Sequence, residues 1–421
     1  MRATRPALTA IALTTVLATG APALAAPSPA SAPPAAAANC PILDTRLSWY
    51  GDNRQKLQEF IDASGGCTHP GAHPLALFDW DNTLVKNDVG DATMSWLLRN
   101  DKILQPAGQD WSTTSRYLTA EATTALGKAC GDAATAGSPL PTSTNAGCAA
   151  EILSVYGEHV TTGGAAAFAG FDHRRINPAY AWGAQLLAGH TLDEVAAYAR
   201  QARAESLAAS PSDAAQAVRT VWVRYYEHMR DLVGTLRRAG FDVGVVSASP
   251  EPVVRVWAED LGFAADEVIG IRNKTESGRL TAHLADCGAA PADSVITYID
   301  GKRCFVNQDI LGIQGQAAFQ RAPEAERQAL AAGDSTTDVT FVGDATGLRL
   351  AINRQAAELM CHAYRNEDGK WLVNPMFIDP LSALPCRYPC STTAYTGPDG
   401  TPGPVRDDAG DVIPDQVDAV H

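Results

Sequence analysis

Apolar positions along this chain follow two different periods. Some stretches are continuous apolar runs that stop abruptly at a polar cluster, as strands buried on both faces do. Leu75-Ala76-Leu77-Phe78 is the first, and it closes on Asp79-Trp80-Asp81-Asn82-Thr83. Phe241 to Ser249 is the second; it ends in small hydroxyl residues before Pro250 and Pro252, a residue type favoured in the first turn of a helix. Glu267 to Arg272 and Leu280 to Leu284 read as further strands on either side of a turn at Glu276-Ser277-Gly278. Ala329 to Gly333 repeats the opening theme, an apolar run meeting Asp334, with Asp338 four residues on. Phe341-Val342-Gly343-Asp344 is a shorter strand-like run that also ends in a carboxylate.

Elsewhere apolar residues recur every three or four positions, the period of one helix face. Leu57, Phe60 and Ile61 predict a helix between Trp49 and Ile61. Met94, Leu97 and Leu98 predict another from Asp91 to Leu104, stopped by Pro106. Thr191-Leu192-Asp193-Glu194 is a capping box opening a helix through Arg203. Val218, Val221, Trp222, Tyr225, Met229, Leu232 and Leu236 predict one long helix closed at Gly240. Phe305 to Ile310 is a further helix-like run, and nothing from Val89 to Ala217 reads as a strong strand. Strands and helices alternate, so the fold class is α/β, with carboxylates at the strand ends where open α/β sheets bind ligands.

The ends of the chain add a compartment. Arg2 and Arg5 precede an apolar run from Ala7 to Leu17, and Ala23-Leu24-Ala25 follows. This is the layout of a secretory signal peptide, residues 1–25, cleaved near Ala25; the run is too short to span a bilayer. Residues 26–39 are Ala/Pro/Ser-rich and predict a disordered linker. No later stretch is apolar and long enough to cross a membrane. The formal net charge is −14, and loss of the leader's two arginines takes it to −16. So acidic a surface disfavours nucleic acid and anionic membranes, while a local cleft can still take an anion. Nine cysteines in an exported chain predict disulfides and one odd thiol. Cys40–Cys67, Cys130–Cys148 and Cys287–Cys304 are the sequence-near pairings among many that spacing allows. Paired C-x-x-C knuckles are missing, which disfavours zinc. Residues 391–421 are Thr/Gly/Pro/Asp-rich and predict a loose tail.

Candidate chemistry gathers at the strand ends. Asp79 and Asp81, one residue apart, repel each other, and a hard cation with oxygen ligands is the usual compensation. The plainer reading of the same stretch is a polar turn. Ser247 ends its strand beside a helix N-terminus, where a hydroxyl and backbone N–H groups can meet an anion; Ser249 reads as the helix cap. Lys302 is the candidate cation, with Arg303 and Lys274 as rivals. Asp334 is preferred over Asp344 because only Asp334 is followed by a second carboxylate, Asp338.

In order, Asp79-Trp80-Asp81-Asn82-Thr83, Ser247, Lys302 and Gly333-Asp334-Ser335-Thr336-Thr337-Asp338 resemble the four short motifs of the haloacid dehalogenase superfamily of phosphohydrolases. The likeness covers roughly Leu75 to Arg354 and is nearest the phosphoserine-phosphatase-like branch. Within that branch, Ser247 to Arg255, Val268 to Ile271, Ala184 to Leu192 and Val342 to Arg354 resemble bacterial secreted phosphorylcholine phosphatases. Gly131 to Gly163 and the C-terminal cysteines have no counterpart.

The resemblance implies a Rossmann-like, doubly wound parallel sheet with a helical cap inserted between the first and second motifs. Residues 40–87 would start the core, 88–217 form the cap and 218–390 complete the core. Asp79 would be the nucleophile and Asp81 the acid and base. Mg²⁺ would be held by Asp79, Asp81 and Asp334, and Ser247 and Lys302 would bind the phosphoryl group. Thr83 would orient the first loop. Asp338 would support the metal from behind or hold Lys302. The implied activity is hydrolysis of a small phosphorylated substrate, including phosphocholine, by a secreted enzyme. A choline group would call for an aromatic cage. Trp96, Trp111, Tyr117, Tyr156, Tyr180 and Trp182 are available, each read first as cap core. The alternatives are a broad-specificity acid phosphatase, a phosphoserine-type phosphatase, or an exported binding protein that has lost turnover. Oligomeric state is not legible.

Overall fold

The computed structural model describes residues 40–211 and 221–421. The signal peptide, the linker to residue 39 and Val218 lie outside the described residues. The described chain opens with Asn53–Ser64 (α1), which buries Leu57 and Ile61, and enters the sheet at Leu75–Phe78 (β1). Val85–Lys86 (β2) leads away from the sheet and pairs antiparallel with Arg224–Tyr225 (β3), where the chain returns. Between the two lie Val89–Arg99 (α2), Ala120–Cys130 (α3), Ala146–Leu153 (α4), Pro178–Gln185 (α5) and Leu192–Ala208 (α6). Glu227–Arg238 (α7), Asp242–Pro250 (β4), Glu251–Ala258 (α8) and Val268–Ile271 (β5) follow. The hairpin Asn273–Glu276 (β6) and Arg279–Leu284 (β7) then reaches α5, with Asn273 Nδ2 donating to the Ala184 carbonyl at 2.9 Å. The remainder is Asp300–Phe305 (α9), Leu330–Gly333 (β8), Val339–Gly343 (α10), Leu348–Asn353 (β9), Ala357–Arg365 (α11) and Trp371–Pro375 (β10). A short pair, Tyr395–Thr396 (β11) and Pro402–Gly403 (β12), comes last.

Six strands form one parallel sheet in the order β5-β4-β1-β8-β9-β10. This is the doubly wound, Rossmann-like order. Its direction reverses at β1 and β8, the crevice where such sheets place their ligands. Alternate residues face opposite sides. Ala76, Phe78, Val245 and Leu330 share a core with Leu57, Ile61, Met229 and Leu232, so α1 and α7 cover that face. Leu77, Val246, Ala331 and Ala351 pack with Phe341, Val342, Leu359 and Met360, so α10 and α11 cover the other. Strands covered on both faces must be apolar throughout, which is why they appear as unbroken runs.

Four disulfides close the described chain: Cys40–Cys67, Cys130–Cys148, Cys287–Cys304 and Cys361–Cys390; Cys386 is unbridged and exposed.

Four expectations change. The helix predicted to Leu104 stops at Arg99, because Asn100 caps it and Asp101 turns left-handed at φ 54°. Among the described residues, the long helix is confined to α7; Tyr225 pairs across to Val85 instead, as a β-branched and aromatic run does when a strand partner is offered. Phe341 to Gly343 is helical rather than a strand, since Ser335 and Asp338 form a capping box that starts the turn, and a short apolar run cannot distinguish the two by period. The tail is not loose. Val405 and Ile413 are buried, and Asp418 accepts hydrogen bonds from Tyr364 Oη, Asn353 Nδ2 and the Leu384 N–H. These contacts are long-range and leave no periodic trace.

Candidate active site

β1 and β8 are neighbours, and the Asp79 N–H donates to the Ala332 carbonyl at 2.9 Å. That bond extends the ladder by one residue and sets Asp79 beside Asp334 at the sheet's carboxyl edge. Thr83 Oγ1 lies 3.1 Å from both Asp79 Oδ2 and Asp334 Oδ1, tying the two loops together. Asp338 folds back over Gly333, where a Cβ would stand 2.5 Å from the Asp338 Cβ, so glycine is what lets the carboxylate approach. Asp338 Oδ2 accepts from the Asp334 and Ser335 N–H groups at 3.0 and 2.9 Å.

Lys302 comes from α9. Its helix starts after a strained turn, with Ile299 at φ 45° and Gly301 pressed on the Ile296 carbonyl. Lys302 is fully buried, and its Nζ donates at 2.6 Å to Asp79 Oδ1 and to Asp338 Oδ1. Of the two readings of Asp338, the geometry is that of a holder of Lys302. Burial alone would lower the lysine's pKa; Asp338 and Asp79 outweigh it and hold it above its ordinary value. The rivals are elsewhere: Arg303 forks onto Asp344, and Lys274 pairs with Asp286. Asp344 lies at the end of α10, engaged by Arg303 and Arg321, outside the cluster.

Asp81 Oδ1 accepts from the Val89 N–H and Oδ2 from Ser249 Oγ, both at 2.7 Å. Burial and the nearby Asp88 carboxylate push Asp81 well above the usual carboxylate range. Ser249 is therefore no helix cap; Pro250 is the N-cap of α8, which has no side-chain cap. Ser247 is fully buried, and its Oγ accepts from the Ser249 N–H at 3.1 Å. It shapes the loop beneath the cavity, while Ser249 lines it.

These groups open into a cavity of about 520 Å³ lined by Asp79, Asp81, Ser249, Asp334 and residues of the inserted segment. Arg354, at the end of β9, donates from Nη1 to Asp334 Oδ2 at 2.8 Å. Asp88 and Asp91 line the far wall with Tyr156, Tyr180, Tyr298 and His159. Tyr156 Oη donates to Asp91 Oδ1 at 3.0 Å, and Tyr180 meets Tyr298 edge to face at 6.1 Å. Burial, then Asp91, raise Asp88 to about 7. Of the six aromatics available to a cage, only Tyr156 and Tyr180 reach the cavity. Trp96, Trp111, Tyr117 and Trp182 are packed in the hydrophobic core.

Sequence reading missed Arg354, Asp88 and Tyr298 and misread Ser249. Arg354 follows the strand next to β8, so the strand-end rule that found Asp334 would have found it. Tyr298 carries no such signal.

A larger cavity, about 780 Å³, lies between α10, α11 and residues 401–413. Its arginines are already engaged by carboxylates and a backbone carbonyl of the same region, so its size does not mark a reactive centre.

Asp79, Asp334 and Asp338 offer carboxylate oxygens within 4.8 Å of one another, all three residues buried. Burial and mutual repulsion raise Asp79 and Asp334 above the usual range. With Asp81 and Asp88 also set, among the described residues, against only Lys302 and Arg354, the cluster carries excess negative charge away from water. Such an all-oxygen donor set fits a hard divalent cation.

Residues 160–342 match the profile of the haloacid dehalogenase-like hydrolases. The chain carries a haloacid dehalogenase-like hydrolase domain. The matched stretch contains Ser247, Lys302, Asp334 and Asp338; Asp79 and Asp81 precede it and join it through the fold. No curated protein matches the sequence. Among solved structures, a conserved protein of unknown function from Anaerococcus prevotii DSM 20548 is 19% identical with a TM-score of 0.57, over 78% of this chain and 93% of that one. It shares the fold of the hydrolase domain. A protein of unknown function from Bordetella pertussis Tohama I is 18% identical with a TM-score of 0.42, over 73% of this chain and all of that one. A phospho-aspartyl intermediate analogue of phosphoserine phosphatase is 16% identical with a TM-score of 0.32, over 72% and 92%.

Proposed function

We propose that this hydrolase cleaves phosphomonoesters outside the cell through an aspartyl-phosphate on Asp79. The observation that carries this reading is the pair Asp79 and Asp334 on adjoining strand ends, joined through Thr83, with buried Lys302 bridging Asp79 to Asp338. Asp79 attacks phosphorus, and the bond to the leaving alcohol breaks. Asp81, whose carboxyl burial and Asp88 hold above the usual carboxylate range, gives its proton to the leaving oxygen. It then takes one from the water that cleaves the aspartyl-phosphate. Lys302 offsets charge at Asp79, and Ser247 holds the loop that presents Ser249 to Asp81. Mg²⁺ would be held by the Asp79 and Asp334 carboxylates and the Asp81 backbone carbonyl; when bound it offsets the charge of the carboxylates and the phosphoryl group. Export is supported by the leader and by four disulfides.

The far wall favours a cationic leaving group, phosphocholine among them. Three tyrosines and the Asp88 and Asp91 carboxylates are what a quaternary ammonium requires. The test is phosphate release by the mature protein with Mg²⁺ and then EDTA. Phosphocholine, phosphoserine, p-nitrophenyl phosphate and a sugar phosphate would be compared. Metal-dependent turnover with phosphocholine preferred supports both statements. Equal turnover of all four removes the cationic one. Metal-dependent binding of phosphate esters without release points to an exported binding protein.

A further inference from the structure

We propose that Arg354 is a working residue of this site, binding the phosphoryl oxygens of the substrate and weakening the site's hold on its divalent cation. The proposal rests on the phosphomonoesterase reading and assigns a residue outside the four motifs. Lys302 is fully buried, with two of its three ammonium donors taken by Asp79 and Asp338, which leaves room for a second, more open cation beside the nucleophile. Arg354 lines the cavity alongside Asp79, Asp81 and Ser249. Its side chain is 44% exposed, whereas that of Asp334 is 1% exposed. One edge of the guanidinium therefore touches the buried carboxylate while the rest faces the opening. Of its five N–H donors, one is used within the described residues, on Asp334 Oδ2. A fork of free donors beside a nucleophilic carboxylate suits phosphoryl oxygens.

The second role follows from the same contact. Asp334 is also the carboxylate suited to the cation. A fixed positive charge 2.8 Å from it opposes a divalent ion while keeping the cluster tolerable without one. The two roles have opposite signs. Removing the guanidinium should tighten metal binding and loosen phosphate binding, whereas general damage to the fold loosens both.

The experiment is two calorimetric titrations on the wild type, Arg354→Met and Arg354→Lys: Mn²⁺ alone, then inorganic phosphate into the Mn²⁺-loaded protein. For Arg354→Met, the Mn²⁺ dissociation constant should fall by about five- to fiftyfold and that of phosphate rise about tenfold or more. Arg354→Lys keeps the charge and loses the fork, so Mn²⁺ binding should stay near wild type while phosphate binding weakens. If Arg354→Met does not fold, the lysine variant decides: unchanged phosphate binding overturns the proposal. Mn²⁺ binding that weakens or does not move in a folded Arg354→Met also overturns it. Neither titration needs turnover. A wild type that releases no phosphate from any ester would sink the proposed reaction and leave the Arg354 result readable.

Discussion

Two of the cavities are densely charged, yet their charges are arranged differently. In the larger one, cations and anions are matched: Arg174 with Glu358, Arg321 with Asp344 and Asp408, Arg349 with Asp368. At the smaller one, among the described residues, Asp79, Asp81, Asp88, Asp334 and Asp338 are set against Lys302 and Arg354, and Asp79, Asp81, Asp88 and Asp334 are held above the usual carboxylate range. Paired charges hold elements together. Buried charge without enough partners costs stability, and it persists where a ligand completes it. Imbalance rather than volume separates the candidate site from the matched region.

Substitutions should separate the two regions in the same way. The largest effect belongs to Asp79→Asn, expected to lower phosphate release by about four orders of magnitude or more. Its melting temperature should stay within a few degrees of wild type, because one of several repelling carboxylates is neutralised. A variant with wild-type turnover breaks the mechanism. In the matched region the balance reverses. Glu358→Gln leaves the Arg174 guanidinium buried without its main partner and should cost about 3 kcal/mol of stability, read by chemical denaturation. The folded fraction should keep its kcat/KM; a lost kcat/KM with unchanged stability would abolish the distinction drawn above.

Metal removal is the third test. A divalent cation that binds only the folded state should stabilise it by about 2.7 kcal/mol at a hundredfold excess over Kd, so Tm should rise as its concentration grows. Asp334→Asn should flatten that dependence; an Asp334→Asn protein with the wild-type shift would remove Asp334 from the metal site.

A further test lies at His362, in the matched region. Burial pushes it down to about 4, against the opposing pull of Asp408. Its folded pKa lies below its unfolded value of about 6.5. Between those two pH values the unfolded chain binds the extra proton, so stability falls as pH drops from about 6.5 to 4 and is unaffected above that window. His362→Gln should flatten this part of the stability profile, measured by denaturation at stepped pH. An unchanged slope would assign it to other groups.

Much of the sheet was legible because its strands are covered on both faces. Leu75 to Phe78 and Leu330 to Gly333 are unbroken apolar runs for that reason, and each ends at a carboxylate that the fold brings to one place. The Thr191 capping box was legible because both its bonds are local. Tyr225 was not: its strand partner, Val85, is distant in sequence. The tail escaped for a related reason, since Asp418 is held by Asn353, Tyr364 and Leu384 rather than by neighbours.

By itself, the sequence determined the strand-end carboxylates Asp79, Asp81 and Asp334, the lysine candidate, the odd cysteine count and the α/β class. All of these depend on residue type and short spacing. Only the tertiary structure decided that Asp338 clasps Lys302, that Ser249 rather than Ser247 faces the cavity, and that Arg354 completes the charge around Asp334. It also decided which aromatics line the cavity. These outcomes turn on which strand lies beside which and which way a side chain leaves it. Strand order, burial and the repulsion among buried carboxylates arise only when distant segments are brought together.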